Sequence, residues 1–402
     1  MYNIRNITEN IYYIGCSNRK QQMFEAIYPI ENGISFNSYL IVDEKTVLVD
    51  TVDKSCAEQF YENLEKALNG RNLDYLIVQH MEPDHAALVK NIFNKYPELK
   101  IVCTNKTVGM IKQFFDMDIS ENSIMVKDGD ILNTGNHEFR FVMAPMVHWP
   151  EVMVTYEKTT GILFSADAFG AFGAINGNLF DTEIEFENEY LAEARRYYTN
   201  IVGQYGVQVQ NLLKKISNLD VKMICPLHGI LLKNNIDIFV KKYNKWSLYE
   251  PEEKSIMIAY SSVYGGTENA INILAGKLAD NGITNIKIFD TSITHHSNIL
   301  AEAFKASHIV IATTTYNAGL FETMDRVLNS FKKHNLQNRK YVIIQNGSWA
   351  ATCSKQIREL VETIKGSEVL DDTLCINSVL KEEQLKDIER ISDLLVKSIN
   401  EK

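Results

Sequence analysis

Residues 80–85 read His-Met-Glu-Pro-Asp-His and directly follow the apolar run Leu76-Ile77-Val78. This hexapeptide constrains the fold more than any other feature, because it places two imidazoles and two carboxylates on one short loop after a predicted strand. Loops at strand ends are where an α/β scaffold presents functional side chains. The alternative interpretation is an ordinary polar strand-to-helix turn, in which Asp84 is the N-cap of the helix.

Three further polar residues lie just past apolar runs, which reduces the weight of that alternative. Alone, a buried histidine is more often a hydrogen-bonded core residue than a ligand. Together with the hexapeptide, however, they make a set large enough for two metals roughly 3.5–4 Å apart, with one carboxylate bridging. The candidate for the bridge is Asp167. The seven candidate ligands are His80, Glu82, Asp84, His85, His148, Asp167 and His228.

The carboxylates in this set indicate which metal to expect. Glu82, Asp84 and Asp167 supply hard, negatively charged oxygen atoms beside the imidazoles. Such a set favours iron or manganese, whereas zinc is commonly held by imidazole and thiolate. We therefore expect these three carboxylates to be ligands and not general bases.

Composition excludes several functional classes. A length of 402 residues suggests two or three domains, and 45% hydrophobic residues suffice for two cores. The net charge of −10 argues against nucleic acid or an anionic membrane as a partner. No apolar stretch approaches the ~18–20 residues of a membrane span, and the N-terminus lacks a signal peptide's regions. We therefore expect a cytoplasmic protein.

The six cysteines are scattered, and none forms a Cys-x-x-Cys pair. We therefore expect neither a disulfide framework nor a fused rubredoxin, which needs two such pairs. Most of them should be small core residues. They are Cys16, Cys56, Cys103, Cys225, Cys353 and Cys375.

A polar, proline-containing stretch, Tyr249–Lys254, separates two different apolar patterns. We place a domain boundary there, which gives domains 1–250 and 251–402. Before the boundary, short strands alternate with helical segments, such as Leu76–Val78 followed by a helix over 86–95. This mixture predicts a sandwich of two sheets flanked by helices.

After the boundary, helical periodicity follows each of five predicted strands. Five βα units of this kind make an open parallel sheet of the flavodoxin type, with its ligand outside the carboxyl ends of the strands. The predicted strands are Ile256–Tyr260, Ile286–Phe289, Ile309–Ala312, Tyr341–Gln345 and Cys375–Val379.

Three loops at those carboxyl ends predict a ligand. The loop 261–268 sets hydroxyls and glycines ahead of a helix N-terminus, which is a cradle for a monophosphate. It contains no lysine, which argues against a nucleoside triphosphate. Taken alone, this loop fits an ordinary helix-capping loop as well as it fits a phosphate-binding loop. The other two loops carry Tyr316 and Trp349 among small polar residues, and aromatic faces bury a flat isoalloxazine ring well.

The spacing from His80 to His228 resembles that of the flavodiiron proteins, or A-type flavoproteins. These join a metallo-β-lactamase-like diiron domain to a flavodoxin domain, and the resemblance spans essentially all 402 residues. It implies an αββα sandwich followed by a doubly wound parallel sheet. Two-metal hydrolases of the first fold carry His where Glu82 stands here. By position, the resemblance implies that His80, Glu82 and His148 bind one iron and Asp84, His85 and His228 the other, with Asp167 bridging.

In some members of the family the residue that matches His85 swings away from the metal, and water replaces it.

The three loops at the carboxyl ends of the second domain's strands resemble the FMN site of flavodoxins, with Ser262 and Thr267 at the phosphate. The third loop has Gly347-Ser348-Trp349 in place of the more usual Tyr-Gly-Trp, which should alter the flavin potential without abolishing binding. The residues expected to bind FMN are Ser261, Ser262, Val263, Tyr264, Gly265, Thr267, Thr314, Thr315, Tyr316, Asn317, Gly347, Ser348 and Trp349.

The resemblance implies reduction of O2 to water by electrons passed from FMN to two iron atoms, with reduction of NO to N2O as the alternative. It also implies an external electron donor, such as a separate rubredoxin, a reduced deazaflavin or a flavin reductase. Many relatives carry a His near Glu25, where this chain has Phe24, Glu25 and Tyr28. The preference between O2 and NO therefore does not follow from the sequence.

The short linker and the resemblance together predict a head-to-tail homodimer, or a tetramer made of two such dimers. Two other functions remain open. A zinc hydrolase fused to a flavodoxin-like regulator is disfavoured by Glu82. A non-catalytic electron carrier is disfavoured by the nearly complete ligand set.

Overall fold

The computed structural model describes residues 1–370 and 373–401. The chain divides into two compact units, Met1–Asn244 and Lys245–Lys402, so the division falls a few residues before the predicted boundary. The last turn of the helix Ile236–Ser247 crosses this division, and two groups after residue 244 bond within the second unit. Trp246 Nε1 donates to Glu252 Oε1 at 2.7 Å, and Arg339 donates to the carbonyl of Tyr249 at 2.7 Å.

The first unit is built on two principal sheets. The seven-stranded sheet has the order β1-β2-β7-β8-β9-β10-β11, and the five-stranded sheet has the order β12-β13-β14-β15-β16. Two short antiparallel pairs, β3 with β6 and β4 with β5, complete it. The strands are β1 (Arg5–Asn6), β2 (Ile11–Tyr13), β3 (Cys16–Asn18), β4 (Met23–Phe24), β5 (Tyr28–Pro29), β6 (Ile34–Phe36), β7 (Tyr39–Val42), β8 (Thr46–Val49), β9 (Tyr75–Ile77), β10 (Lys100–Cys103), β11 (Ser123–Met125), β12 (Ile131–Asn133), β13 (Glu138–Met143), β14 (Met153–Glu157), β15 (Ile162–Phe164) and β16 (Met223–Cys225).

The two sheets share one hydrophobic core. Alternate residues of a strand point to one face, so Tyr39 and Ile41 of β7 face the second sheet together. Phe139 and Phe141 of β13 and Phe164 of β15 meet them in the same cluster, and the rings of Tyr39 and Phe164 lie 5.1 Å apart. Helices connect the parallel strands, which completes the predicted sandwich of sheets and helices.

Local sequence sets the ends of these helices. The Thr104 hydroxyl accepts from the Thr107 N–H at 3.2 Å, which caps the helix that starts at Asn105. Asn69 and Asp116 end two helices in the left-handed conformation, with φ of 48° and 49°. The helices are α1 (Ala57–Leu68), α2 (Pro83–Ala86), α3 (Val89–Lys95), α4 (Asn105–Phe115), α5 (Leu191–Tyr197), α6 (Gly206–Ile216) and α7 (Ile236–Ser247), and π-helical turns Phe186–Tyr190 and Tyr198–Val202 flank α5.

The second unit contains one parallel sheet with the order β18-β17-β19-β20, after which β21 and β22 both pair with β20. This is the flavodoxin-type strand order 2-1-3-4-5, with the fifth position filled by two short pieces. The predicted strand Cys375–Val379 begins one residue earlier and is shorter than expected. The strands are β17 (Ile256–Tyr260), β18 (Ile286–Asp290), β19 (His308–Thr314), β20 (Lys340–Asn346), β21 (Glu368–Val369) and β22 (Leu374–Ile376).

Helices follow these strands and cover the sheet. Ile258 and Val310 pack with Leu274 of α8 and Ile391 of α12 in one core cluster. The strand residues between them, such as Met257, are buried on the opposite face, as alternation requires. The helices are α8 (Gly266–Asp280), α9 (His296–Lys305), α10 (Glu322–Lys333), α11 (Cys353–Val361) and α12 (Leu385–Asn400). Within the described residues, no helix combines the length and apolar character needed to cross a membrane.

One pair of cysteines differs from the prediction that most cysteines are small core residues outside any disulfide framework. Cys16 and Cys56 form a disulfide with a Cα–Cα distance of 6.4 Å. Their separation of 40 residues carries no sequence signal, and only the packing of β3 beside the start of α1 brings them together. Of the others, Cys103, Cys225 and Cys353 are buried thiols, as expected, and Cys375 is exposed.

Candidate metal centre and cofactor cavity

The seven candidate ligands lie after the carboxyl ends of four strands. The hexapeptide 80–85 joins β9 to α2, with Glu82 as the N-cap residue of that helix. His148 follows β13, Asp167 follows β15 and His228 follows β16. The structure therefore brings together all seven residues that the sequence singled out, in two groups.

The first group comprises His80, Glu82, His148 and Asp167. His148 Nε2 lies 3.0 Å from Glu82 Oε2 and 3.0 Å from Asp167 Oδ2. His80 Nε2 lies 3.3 Å and 3.4 Å from the same two oxygens. One ligand atom from each of the four residues thus points to a common place.

The second group comprises Asp84, His85 and His228. Asp84 Oδ2 lies 3.3 Å from His85 Nε2 and 3.2 Å from His228 Nε2, and the two imidazole nitrogens are 3.0 Å apart. Asp84 lies in the first turn of α2 and Glu82 holds the N-cap position without a capping side-chain bond. The interpretation of Asp84 as an N-cap is therefore wrong.

Asp167 faces both groups with different oxygens. Its Oδ2 lies near His80 and His148, whereas its Oδ1 lies 3.2 Å from His85 Nε2 and 3.8 Å from His228 Nε2. A carboxylate that presents one oxygen to each of two ligand groups has the arrangement of a metal bridge.

The carboxylate oxygens fit a metal centre by a second criterion. Both oxygens of Asp84 and Oδ1 of Asp167 are buried and have no hydrogen-bond partner among the residues that the structure describes. Buried polar atoms are normally satisfied, and an unsatisfied carboxylate is costly unless a cation compensates it. An oxygen-rich donor set of this kind suits iron.

Outer contacts orient two of the imidazoles. His80 Nδ1 lies 2.9 Å from Glu151 Oε1, which also accepts from the Met81 N–H at 2.8 Å. His228 Nδ1 donates to the carbonyl of Ser35 at 2.7 Å. In both rings this contact leaves Nε2 for the centre, because the tautomer is set by the partner of Nδ1.

His85 is held differently. Its carbonyl accepts from the N–H of Thr51 at 2.9 Å and from the Thr51 hydroxyl at 2.6 Å. Its Nδ1 is buried and has no hydrogen-bond partner within the described residues. The backbone of His85 is therefore anchored, whereas its ring lacks the outer contact that His80 and His228 have.

The buried charges shift one another's pKa. Burial opposes protonation of His148, but its hydrogen bonds with Asp167 and Glu82 prevail and raise its pKa to about 9. Burial also opposes ionisation of Asp167, but the imidazoles of His85, His148 and His80 hold its pKa well below the usual range. The centre therefore stabilises ionised carboxylates and needs positive charge, which protonated imidazoles or metal cations supply.

Aromatic residues border the centre. Phe24 of β4 packs edge-on against the His228 ring at 5.4 Å, and Tyr197 lies 5.5 Å from the same ring. The Tyr197 hydroxyl is buried without a hydrogen-bond partner in the described part of the chain. Glu25 follows Phe24, and desolvation together with the negative charge of Glu82 raises the pKa of Glu25 to about 8.

The second unit contains a cavity of about 640 Å³ at the carboxyl ends of β17, β19 and β20. Gly265, with φ of 87°, precedes α8, and its N–H donates to the Ser262 hydroxyl at 3.1 Å. The Thr267 hydroxyl accepts from Asn346 Nδ2 at 3.2 Å. A Cβ on Gly266 would approach the Ser378 carbonyl to 2.0 Å, so only glycine fits there.

Three aromatic side chains at this cavity have open faces. Tyr264 is 98% exposed, Trp349 is 95% exposed and Tyr316 is 47% exposed. Exposure of this extent is unusual for large aromatics and leaves their surfaces available to a flat ligand. The hydroxyl-lined helix N-terminus and the aromatic mouth together fit a planar ring that carries a phosphate.

Most residues expected to bind FMN line this cavity, but two do not. Ser261 is buried, and its hydroxyl shares a 2.7 Å hydrogen bond with Thr291 Oγ1, while Gly265 forms the turn behind the cavity wall. The expected residues that line it are Ser262, Val263, Tyr264, Thr267, Thr314, Thr315, Tyr316, Asn317, Gly347, Ser348 and Trp349. The lining residues that sequence reasoning missed are Gly266, Ala318, Asn346, Ala350, Thr352, Ser378 and Val379.

Comparison with known proteins identifies the family. Residues 34–229 match the family model described as ODP family beta lactamase. The chain is 30% identical to the anaerobic nitric oxide reductase flavorubredoxin of Vibrio vulnificus, over 86% of this chain and 70% of that protein. The chain belongs to the flavodiiron protein family.

Two solved structures share the fold of this flavodiiron protein. The flavodiiron protein from Giardia intestinalis has a TM-score of 0.93 and 21% identity, covering 99% of this chain and 97% of that chain. The rubredoxin oxygen:oxidoreductase of Desulfovibrio gigas has a TM-score of 0.92 and 23% identity, covering 99% and 98%. The predicted fold class, a metallo-β-lactamase-like sandwich followed by a flavodoxin-like sheet, is therefore confirmed.

Proposed function

We propose that this flavodiiron protein is an oxidoreductase that reduces O2 to water at a non-haem diiron centre in its first unit. The observation that carries the proposal is the position of Asp167, whose two oxygens face two separate groups of ligands. The redox chemistry comes from the bound groups: reduced FMN supplies two electrons and two Fe(II) supply two more, which is the number that O2 requires.

In this proposal each ligand group holds one iron. His80, Glu82 and His148 form one site, Asp84, His85 and His228 form the other, and Asp167 spans them. Glu151 and the Ser35 carbonyl hold His80 and His228 in the orientation that presents Nε2. The apolar ring of Phe24 and the phenol of Tyr197 border the place where a diatomic molecule would bind and exclude water from it.

FMN occupies the cavity of the second unit in the same proposal. The N-terminus of α8, with the hydroxyls of Ser262 and Thr267, holds a single phosphate group. Tyr316 and Trp349 provide aromatic faces for the isoalloxazine ring. The extended FAD molecule is disfavoured, because no Gly-x-Gly-x-x-Gly follows the first strand of this unit.

Reduction of NO to N2O is the second candidate, and the relative from Vibrio vulnificus favours it. That protein is named an anaerobic nitric oxide reductase, whereas the structural neighbour from Desulfovibrio gigas is named for oxygen. Coupling two NO molecules takes two electrons, and a centre with two metals suits the binding of a pair of diatomic molecules.

The proposal includes a homodimer, or a tetramer of two dimers, in which the flavin of one chain serves the irons of the other. An external donor, such as a rubredoxin, a reduced deazaflavin or a flavin reductase, supplies electrons to FMN. No nucleic acid or membrane takes part, in keeping with the net charge of −10.

The test begins with iron, zinc and flavin analysis of the purified protein. Two irons and one FMN per chain are expected. The protein is then reduced anaerobically and exposed separately to O2 and NO, with gas consumption recorded by electrode. Faster consumption of O2 supports the first candidate and faster consumption of NO supports the second. Stoichiometric zinc without iron would indicate a hydrolase, and consumption of neither gas would indicate a non-catalytic carrier.

A further inference from the structure

The disulfide between Cys16 and Cys56 joins two segments that each hydrogen-bond to a ligand residue of the candidate metal centre. Cys16 begins β3, and Cys56 is the N-cap residue of α1. The bond therefore joins the pair of strands β3 and β6 to the segment that follows β8. Each of these two segments holds one histidine of the second ligand group.

The side of β3 and β6 reaches His228. In the antiparallel pairing of β3 with β6, Cys16 lies opposite Phe36 and Ser17 lies opposite Ser35. The Ser35 carbonyl accepts from His228 Nδ1 at 2.7 Å, and the Ser35 hydroxyl accepts from the N–H of Gly229 at 2.7 Å. A shift of β3 is thus passed to the carbonyl that orients His228.

The helix side reaches His85. Thr51 lies five residues before Cys56, and its N–H and hydroxyl both donate to the His85 carbonyl. Because the His85 ring lacks an outer hydrogen bond at Nδ1 among the described residues, its position depends on backbone contacts, which include the two bonds from Thr51 and the bond from the His85 N–H to the Glu82 carbonyl at 2.9 Å. The disulfide fixes the end of the segment that provides the two bonds from Thr51.

Both cysteines of the disulfide line a cavity that is large enough for a small reagent. A polar cavity of about 690 Å³ is lined by Cys16 and Cys56 themselves, together with Asn18, Ser55 and Gln59. The sulfur-bearing residues are only 4% and 8% exposed, so access is through this cavity and not over an open surface. A dithiol of low molecular weight fits such a space.

We propose that Cys16–Cys56 is a redox latch that controls metal exchange at the second ligand group. In the disulfide form, the two segments are clamped and His85 and His228 retain their metal. In the dithiol form, the segments loosen and the metal exchanges. This inference rests on the proposed metal centre, and it assigns to this chain a control by thiol-disulfide exchange.

The switching step is a balanced two-electron exchange. A thiolate of the incoming dithiol attacks the sulfur of Cys16, the Cys16–Cys56 bond breaks, and the sulfur of Cys56 leaves. Cys56 is assigned as the leaving group, because it is the N-cap residue of α1 and the N-terminus of a helix favours a thiolate. The second thiol of the reagent then displaces Cys16, which leaves two cysteine thiols and a disulfide in the reagent.

Loosening should remain local, because other contacts hold the helix. Asn63 of α1 donates from Nδ2 to the carbonyls of Ile14 and Gly15, both at 3.1 Å, so the chain before Cys16 stays on the helix and loosening begins at β3. Asn18 Nδ2 of β3 also donates to Ser55 Oγ at 2.9 Å. These bonds do not depend on the disulfide. Reduction should therefore expose backbone amides in 34–36 and 51–56, while α1 stays protected.

The test uses the whole protein loaded with Fe(II) under anaerobic conditions. One sample is treated with dithiothreitol and desalted, and the other keeps its disulfide. N-ethylmaleimide labelling and mass spectrometry count the thiols at positions 16 and 56, and the chelator ferrozine measures iron release. We expect roughly tenfold faster release of about one iron per chain after reduction. Equal release rates, with both cysteines labelled, would overturn the latch.

Two variants and a metal-free measurement isolate the cause. Cys16→Ser combined with Cys56→Ser should release iron at the fast rate regardless of dithiothreitol, whereas Cys375→Ser, at an exposed free thiol, should respond as wild type. Hydrogen exchange of the metal-free protein should show faster exchange at 34–36 and 51–56 after reduction. Unchanged exchange there overturns the latch, and a protein that shows the exchange change but never binds iron overturns the metal centre instead.

A monothiol supplied at low concentration tests the order of attack. We expect a mixed disulfide at Cys16 with Cys56 as the free thiol, detected by mass spectrometry after alkylation. An adduct at Cys56 instead would overturn the assignment of Cys56 as the leaving group. If the double serine variant does not fold, the comparison of reduced and oxidised wild-type protein decides the proposal.

Discussion

At the residue scale, Asp167 is the residue of the candidate metal centre that contacts both ligand groups. It is fully buried, and each of its oxygens faces a different ligand group. His85, by contrast, belongs to one group and its ring has no hydrogen bond at Nδ1 within the described residues. The two residues should therefore differ in how many metals depend on them.

The first prediction compares Asp167→Ala with His85→Ala. Loss of the shared carboxylate should leave less than one iron per chain, because both groups lose a ligand. His85→Ala removes one imidazole and should leave more than one iron per chain, because a water molecule can replace a single ligand. Metal analysis by mass spectrometry measures the content, and circular dichroism controls for folding. The bridging role would be refuted by an Asp167→Ala protein with two irons and full turnover.

Glu151 illustrates a contribution that lies outside the ligand set. It accepts from His80 Nδ1 and from the Met81 N–H, so it fixes the ring and the backbone of the hexapeptide together. The fold presents it from the loop before β14, at a sequence separation of 70 residues from Met81.

The second prediction is that Glu151→Ala weakens iron binding by about 10–100-fold, the range for the loss of an outer-sphere partner. Glu151→Gln keeps an acceptor oxygen and should lie between this variant and wild type. Competition against a chelator measures the affinity. Glu98→Ala, at an exposed position, is the matched control and should bind iron as wild type does. Equal affinities for Glu151→Ala and the control would remove the positioning role.

At the element scale, the two sheets of the first unit are tied together at their turns. Asp43, after β7, accepts from the Thr134 hydroxyl at 3.0 Å, from the Asn136 N–H at 2.8 Å and from the His137 N–H at 3.0 Å. These donors belong to the turn between β12 and β13. Burial opposes ionisation of Asp43, but the hydrogen bonds, that of the Asn136 side chain first, lower its pKa to about 2.

The third prediction is that Asp43→Asn lowers the free energy of unfolding by about 2 kcal/mol at pH 7, because a charged acceptor is lost. A depressed pKa stabilises the fold above the ordinary value of 3.8, and this contribution is lost as the pH falls from about 4 through 2. The variant should therefore lose less stability over that interval than wild type.

Urea unfolding at several pH values, followed by circular dichroism, measures this effect. Asp220→Asn, beside Lys222 on the surface, is the control and should change stability by less than about 0.5 kcal/mol. If Asp43→Asn and wild type lose stability in parallel between pH 4 and pH 2, Asp43 is not the group responsible.

At the scale of the whole molecule, the chain is two units with separate cores. The segment before the predicted boundary carries bonds of the second unit, since Arg339 is fully buried and donates to the Tyr249 carbonyl. A fragment that begins after Tyr249 therefore deprives a buried guanidinium of an acceptor.

The fourth prediction concerns two fragments of the second unit. The fragment 245–402 should fold alone, bind FMN, turn yellow and contain no iron. The fragment 253–402 should also bind FMN but should be less stable by about 1–3 kcal/mol, because Arg339 loses one acceptor. Urea unfolding and flavin extraction measure both properties. Recovery of FAD, or equal stability of the two fragments, would contradict the prediction.

The fifth prediction tests the proposed homodimer. A flavin-deficient chain, with Thr267→Ala and Trp349→Ala, is mixed with a metal-deficient chain, with His80→Ala and Asp167→Ala. Random exchange makes about half of the dimers mixed, and each holds one of two intact pairs, so roughly a quarter of the wild-type rate is expected. If native mass spectrometry verifies exchange and the rate stays at zero, electron transfer occurs within one chain.

The sequence by itself determined the architecture and the seven candidate ligand positions. Strand patterns show as apolar runs, and a polar residue just past such a run must lie at a sheet end, where loops converge. His80, His148 and His228 were found in this way. Glycines and hydroxyls before α8 likewise identified the cavity of the second unit, because a helix N-terminus has a local sequence signal.

Only the tertiary structure decided which contacts surround those positions. Glu151, Ser35 and Thr51 act on the ligands through side chains and carbonyls that approach from distant segments, and no local pattern encodes such an approach. The pairing of Cys16 with Cys56 has the same origin, since 40 residues separate them in the chain. Periodicity reports which face of an element is buried, whereas the partner across that face depends on how the elements pack.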